Sequence, residues 1–120
     1  MGPARKLYKK LLKTSKDISW IRIENVSLLG TPDLLGYNNS GHFFTLELKC
    51  TKGNKIKFSP HQIAFHIKHP HNTFIMVEAL GSGDVKLFRG SRIMELAACG
   101  FKLEACCLGL DACRLLLEDL

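Results

Sequence analysis

Apolar and polar positions along the chain alternate with two periods. Residues 4–14 place Leu7, Leu11 and Leu12 at helical spacing, with Tyr8 beside them and lysines elsewhere, which predicts a short amphipathic helix. Over residues 20–26 the period becomes two: Trp20, Arg22 and Glu24 alternate with Ile21 and Ile23, as in a strand. Residues 28–32 read as a turn, in which Pro32 restricts its own backbone and pushes Thr31 to an extended form. A second strand is predicted over 33–37, a hairpin turn over Asn38, Asn39, Ser40 and Gly41, and a return strand over 42–50. Ser59 suits an N-cap, Pro60 the first helical position and Gln62 a capping box, so a helix starts there, and Pro70 ends it. Residues 73–80 form a strongly apolar strand and 85–88 another, which makes strand, helix, strand a crossover unit. From Ser91 the pattern is helical, with Gly100 as a stop; residues 103–120 predict one helix or two, because Gly109 interrupts them. The order is α-β-β-β-α-β-β-α, an α/β (α+β) chain with a mixed central β-sheet flanked by helices.

In the return strand Phe44, Leu46, Leu48 and Cys50 point one way, and Thr45, Glu47 and Lys49 the other. A hairpin sets the start of its first strand near the end of its second, so Asp33 comes close to Glu47 and Lys49. Charges in an apolar strand are costly to bury unless they pair or hold a metal. From the residues alone two readings stand: a solvated Glu47–Lys49 ion pair with Asp33 in a turn, or a site built from all three. Glu24 likewise either pairs with Arg22 at the sheet edge or adds an acid near that site. The polar stripe Gln62, His66, His69 lies on an otherwise apolar helix.

A chain of 120 residues has room for one domain, and 46% hydrophobic with 23% charged residues is ordinary for a globular one. No apolar run approaches a membrane span, and the basic N-terminal stretch is not followed by the apolar segment of a signal peptide. The five cysteines are odd in number, two are adjacent, and none shows paired Cys-x-x-Cys spacing; a reduced, cytoplasmic setting with buried thiols is expected. The net charge of +6 is unevenly spread. Arg5, Lys6, Lys9, Lys10, Lys13 and Lys16 precede the first acid, Asp17, and Lys52, Lys55 and Lys57 surround Gly53-Asn54. Such asymmetry fits a polyanion partner, nucleic acid first, or else a solvated helix face. His61, His66, His69 and His71 straddle a helix end and Pro70, which suits phosphate contacts or surface positions better than a metal.

Two carboxylates and a lysine suit metal-assisted phosphodiester hydrolysis, because hard oxygen ligands favour Mg²⁺ or Mn²⁺. Pro32-Asp33, the two-strand spacer and Glu47-Leu48-Lys49 resemble the PD-(D/E)xK nuclease signature. Ser59-Pro60-x-Gln62-x-x-Phe65 resembles the helix that follows it in Holliday junction resolvase-like and VRR-NUC-like nucleases, many of them phage-encoded. The resemblance covers about residues 4–96. It implies a restriction-endonuclease-like core within a single domain, 1–120, with a helical extension over about 97–120. It further implies a structure-selective DNA endonuclease, foremost a Holliday junction resolvase; a nicking, flap-cutting or DNA-degrading nuclease and a non-catalytic DNA-binding module are the alternatives. Asp33, Glu47, Lys49 and Gln62 would be catalytic, with Mg²⁺ (Mn²⁺ substituting) on Asp33, Glu47 and the main-chain carbonyl of Leu48. Related resolvases carry an acid on the first helix, and residues 4–16 have none, so either Glu24 substitutes or those ligands suffice. Arg5, Lys6, Lys9, Lys10, Lys13, Lys52, Lys55, Lys57, His66 and His69 would contact DNA, and cutting a junction symmetrically calls for a homodimer.

Overall fold

One mixed sheet with apolar side chains on both faces organises the chain. The computed structural model describes residues 3–23 and 30–120. Among these the elements are α1 (Pro3–Thr14), β1 (Ile18–Arg22), β2 (Leu34–Asn38), β3 (Phe43–Thr51), α2 (Pro60–Lys68), β4 (Thr73–Ala79), β5 (Val85–Arg89), α3 (Ile93–Cys99), β6 (Cys107–Leu108) and α4 (Leu110–Glu118). The strands lie in chain order, β1-β2-β3-β4-β5-β6. Only β3 and β4 are parallel, joined through α2 as a crossover unit; every other neighbouring pair is antiparallel. The result is a compact α+β domain.

Alternation sorts the core into two layers. Phe44, Leu46 and Leu48 of β3 and Phe74 and Met76 of β4 meet Leu7 and Leu11 of α1 and Cys113 and Leu117 of α4. On the opposite face, Ile75, Val77 and Phe88 pack with Ile56, Ile93 and Leu96, joined by Phe58 and Ile63. Fully burying each such side chain is worth about 1.5–3 kcal/mol, which is what docks the helices. Leu12, expected on the apolar stripe of α1, is 41% exposed; Ala4, Leu7, Tyr8 and Leu11 make the contact instead.

The hairpin closes through Asn38, whose side-chain Oδ1 accepts from the Ser40 and His42 amides, while Gly41 takes the left-handed φ of 82°. The expected first strand is described as far as Arg22; its continuation over 24–26 lies outside the described residues. The tail departs from the helical expectation. Residues before Gly109 extend along β5 as β6, with the Cys106 amide bonded to Leu87 O at 2.9 Å and Gly109 N–H to Val85 O at 2.7 Å. An open strand edge competes with local helix formation, and Gly109, at φ 87°, turns the chain into α4. Among the described residues no helix is long and apolar enough to cross a membrane.

Candidate active site

The antiparallel ladder of β2 and β3 ends at the Leu34–Leu46 rung. Continuing that register by one step sets Asp33 opposite Glu47, on the same face of the sheet. The Asp33 carboxylate takes the place of the next rung: its Oδ2 accepts from the Leu48 amide at 2.7 Å. A strand residue presents its N–H and C=O to the same edge, so the Leu48 carbonyl points to this opening as well.

Glu47 is 3% exposed, and no N–H or hydroxyl donor reaches its Oε1. Its Oε2 is 3.5 Å from Gln62 Nε2, a long contact. Burial pushes its carboxyl up to about 9; the charge of Asp33 and a hydrogen bond to Asp33 act in the same direction, and Lys49 acts against them. Lys49 Nζ donates to Gln62 Oε1 at 2.9 Å and lies 5.1 Å from the centroid of the Phe58 ring. Gln62 is itself held by the start of α2. Its amide donates to Ser59 Oγ at 3.1 Å, and its Oε1 accepts from the Ser59 amide at 3.0 Å, the reciprocal pair of a capping box. Gly30 seats the loop before Asp33 on this first turn, since a Cβ there would collide with the His61 carbonyl. Helix start, loop and strand thus converge on one group of side chains.

The basic loop borders this group. Lys49, Lys52, Lys55 and Lys57 line a cleft of about 750 Å³ that reaches Ala4 and Leu80 and, among the described residues, carries no acidic side chain. Asn54 pins the loop: its Nδ2 donates to Cys99 O, and its Oδ1 accepts from the Lys102 amide, each at 2.7 Å. A smaller cleft of about 150 Å³ brings Arg5, Arg22 and Tyr8 beside Asp33 and Leu48. Ala4 and Leu48 line both clefts, so the two flank the opening between β2 and β3.

One expected DNA contact requires correction. His66 is fully buried, with neither ring nitrogen hydrogen-bonded, and burial pushes its pKa down to about 4, with His69 adding to the effect. It follows Gln62 by one helical turn and so points under α2 rather than outward. The bare backbone of Gly90 makes room for it, since a Cβ there would crowd Nδ1 and the Thr73 hydroxyl. Lys10, itself exposed, is paired with buried Glu78 at 2.6 Å. Docking Leu7 and Leu11 on the sheet turns Lys10 towards β4. Arg5, Lys6, Lys9, Lys13 and His69 are exposed. Glu24 lies outside the described residues.

Sequence reasoning did not assign Phe58, Asn54 or Arg22 to the site. Phe58 had a readable signal: an apolar residue before an N-cap, with Ile63 four positions into the helix, is a hydrophobic staple, and both pack in one cluster. Asn54 and Arg22 join through contacts distant in sequence.

The donor set fits a hard divalent cation. Among the described residues no three His, Cys, Asp or Glu side chains gather to hold a metal. Mg²⁺ needs only one or two carboxylates and keeps several waters. Asp33, Glu47 Oε1 and the Leu48 carbonyl supply such a set, and a cation would offset the burial and the Asp33 charge that together favour the protonated Glu47. A scan against protein-family models and a search of curated proteins each return no match.

Proposed function

We propose that the chain is a Mg²⁺-dependent endodeoxyribonuclease of the PD-(D/E)xK type, with a restriction-endonuclease-like core, acting on branched DNA such as a Holliday junction. One observation carries this reading: Glu47, buried with a carboxylate oxygen that no N–H or hydroxyl donor reaches, lies opposite Asp33 and next to Lys49, at the point where β2 leaves β3. Two acids on one face call for a proton or a cation, and the adjoining lysine-lined cleft is suited to a phosphodiester.

Asp33, Glu47 and the Leu48 carbonyl would hold the ion, Mg²⁺ or in its place Mn²⁺. When bound, it lowers the pKa of a water and neutralises charge on the phosphate. The chain's own residues do the positioning. Gln62 Oε1 and the Phe58 ring hold the Lys49 ammonium beside the acids, where it orients the attacking water or balances charge growing on the phosphate. Lys52, Lys55 and Lys57 grip the strand through its phosphates. Symmetric cutting of a junction requires two such sites, hence a homodimer. Exposed Leu115 and Leu108 on the tail and Leu12 on α1 offer apolar surface for it.

The test is cleavage of a labelled four-way junction in Mg²⁺, beside flap, nicked, duplex and single-stranded substrates. Wild type is expected to cut the junction, and Asp33→Asn and Lys49→Ala each to lose at least about 100-fold. Equal activity in all three would remove the site assignment. Preference for a flap or nick would change the substrate, and junction binding without cleavage in Mg²⁺ or Mn²⁺ would leave a DNA-binding module.

A further inference from the structure

The sheet face that carries Asp33 and Glu47 stays largely open along β1 and β2. Register sets Ile21 opposite Leu35, Leu35 opposite Thr45, and Tyr37 opposite Phe43, and opposed residues share a face. These side chains therefore lie on the same face as Asp33 and Glu47. The layer formed with α2 and α3 covers β4 and β5, leaving Tyr37 43% and Phe43 56% exposed. Their rings are 4.5 Å apart between centroids, tilted by 51°. Phe43 stands four residues before Glu47 on one strand, about 13 Å away, within the span of a few nucleotides.

The rim of this patch is polar. Lys16 shares a cleft of about 350 Å³ with Tyr37, Asn38 and Asp17, and exposed His42 precedes Phe43. Beyond the acids lies the lysine-lined cleft. Strand β3 thus carries an aromatic ring at its start and leads into phosphate-seeking charge at its end, with Glu47 between. That sequence of chemistries matches a nucleic acid strand, whose bases have flat apolar faces and whose backbone is anionic. Bases in a duplex already stack on one another, so exposed rings select unpaired ones.

We propose that Tyr37 and Phe43 form a stacking platform for unpaired bases of the DNA strand that enters the candidate site. The proposal rests on the nuclease reading for the passage of the strand between the acids, but stacking is measurable without cleavage. The experiment is fluorescence anisotropy in EDTA with the full chain, comparing an oligothymidylate, an abasic strand of equal length and a blunt duplex. Wild type is expected to bind the oligothymidylate about tenfold more tightly than the abasic strand. The double variant Tyr37→Thr, Phe43→Thr is expected to abolish that preference. Threonine suits exposed strand positions, and the fluorescence of the single tryptophan, Trp20, checks the fold. Tyr37→Phe is expected to retain the preference, and Lys55→Ala to weaken both strands equally.

Equal affinity of wild type for the two strands, or a preference that survives the double variant, would overturn the proposal. So would a double variant that turns a dimer into a monomer by light scattering while base preference is unchanged; the face would then join two copies. A base preference in a wild-type protein that cuts nothing would overturn the nuclease reading and leave the platform standing.

Discussion

Glu47 carries the largest electrostatic strain among the residues of the candidate site. Its ordinary pKa is 4.5, and burial with Asp33 opposite raises it to about 9. Between those values the folded chain holds a proton that the unfolded chain has released, so folding stability falls as pH rises from about 4.5 to about 9 and levels off above that. Thermal melts in EDTA are expected to show this decline, and Glu47→Gln, which stays neutral, to flatten it and to melt higher than wild type near pH 8. Mg²⁺ is expected to raise the wild-type melting temperature more at pH 8 than at pH 5, because displacing the Glu47 proton costs less as the pH approaches its pKa. Gln62 has two tasks that can be separated. Ser59→Ala removes the cap and is expected to cost about 1 kcal/mol by denaturant titration, with cleavage nearly kept. Gln62→Ala is expected to cost a similar amount of stability and to lose at least about tenfold in cleavage as well, because Lys49 loses the oxygen that positions it.

The secondary structure elements were legible where a pattern and its punctuation agreed. The capped start of α2, the Asn38–Gly41 turn and the alternation along β3 are local matters of hydrogen bonding and period, and the structure has all three. Where the pattern was apolar but short it misled. Residues 103–109 look helical by composition, yet the free edge of β5 recruits Cys107 and Leu108 as a strand. Asn54 shows the same limit in a loop. Its sequence setting, Lys-Gly-Asn-Lys, reads as a basic loop, and its side chain ties that loop to the backbone at Cys99 and Lys102. Asn54→Ala is expected to cost about 1 kcal/mol in stability and to weaken DNA binding several-fold, since the lysines would no longer be held in one arrangement. Denaturant titration and anisotropy on one variant measure both effects.

Across the whole molecule, charge acts in two ways. Lys52, Lys55 and Lys57 face open cleft, and Lys10 faces a buried carboxylate. Replacing any one of the three loop lysines by alanine is expected to reduce the slope of log affinity against log salt by about 1. Lys10→Ala is expected to leave that slope unchanged and to lower stability instead, because Glu78, 5% exposed, loses its partner. Titrating binding over a salt series separates these outcomes. The sequence by itself determined the periods, caps and turns that define most of the elements, and it singled out Asp33, Glu47, Lys49 and Gln62, because local backbone preference and side-chain alternation are written in neighbouring residues. Only the tertiary structure decided that His66 is interior, that Lys10 pairs with Glu78, and that Arg22, Phe58 and Asn54 border the site. It also decided that β2 stops one rung short, so that Asp33 bonds to Leu48 across the opening. Those outcomes depend on which surfaces meet when the helices bury their apolar faces, and that is a property of packing between residues far apart in the chain.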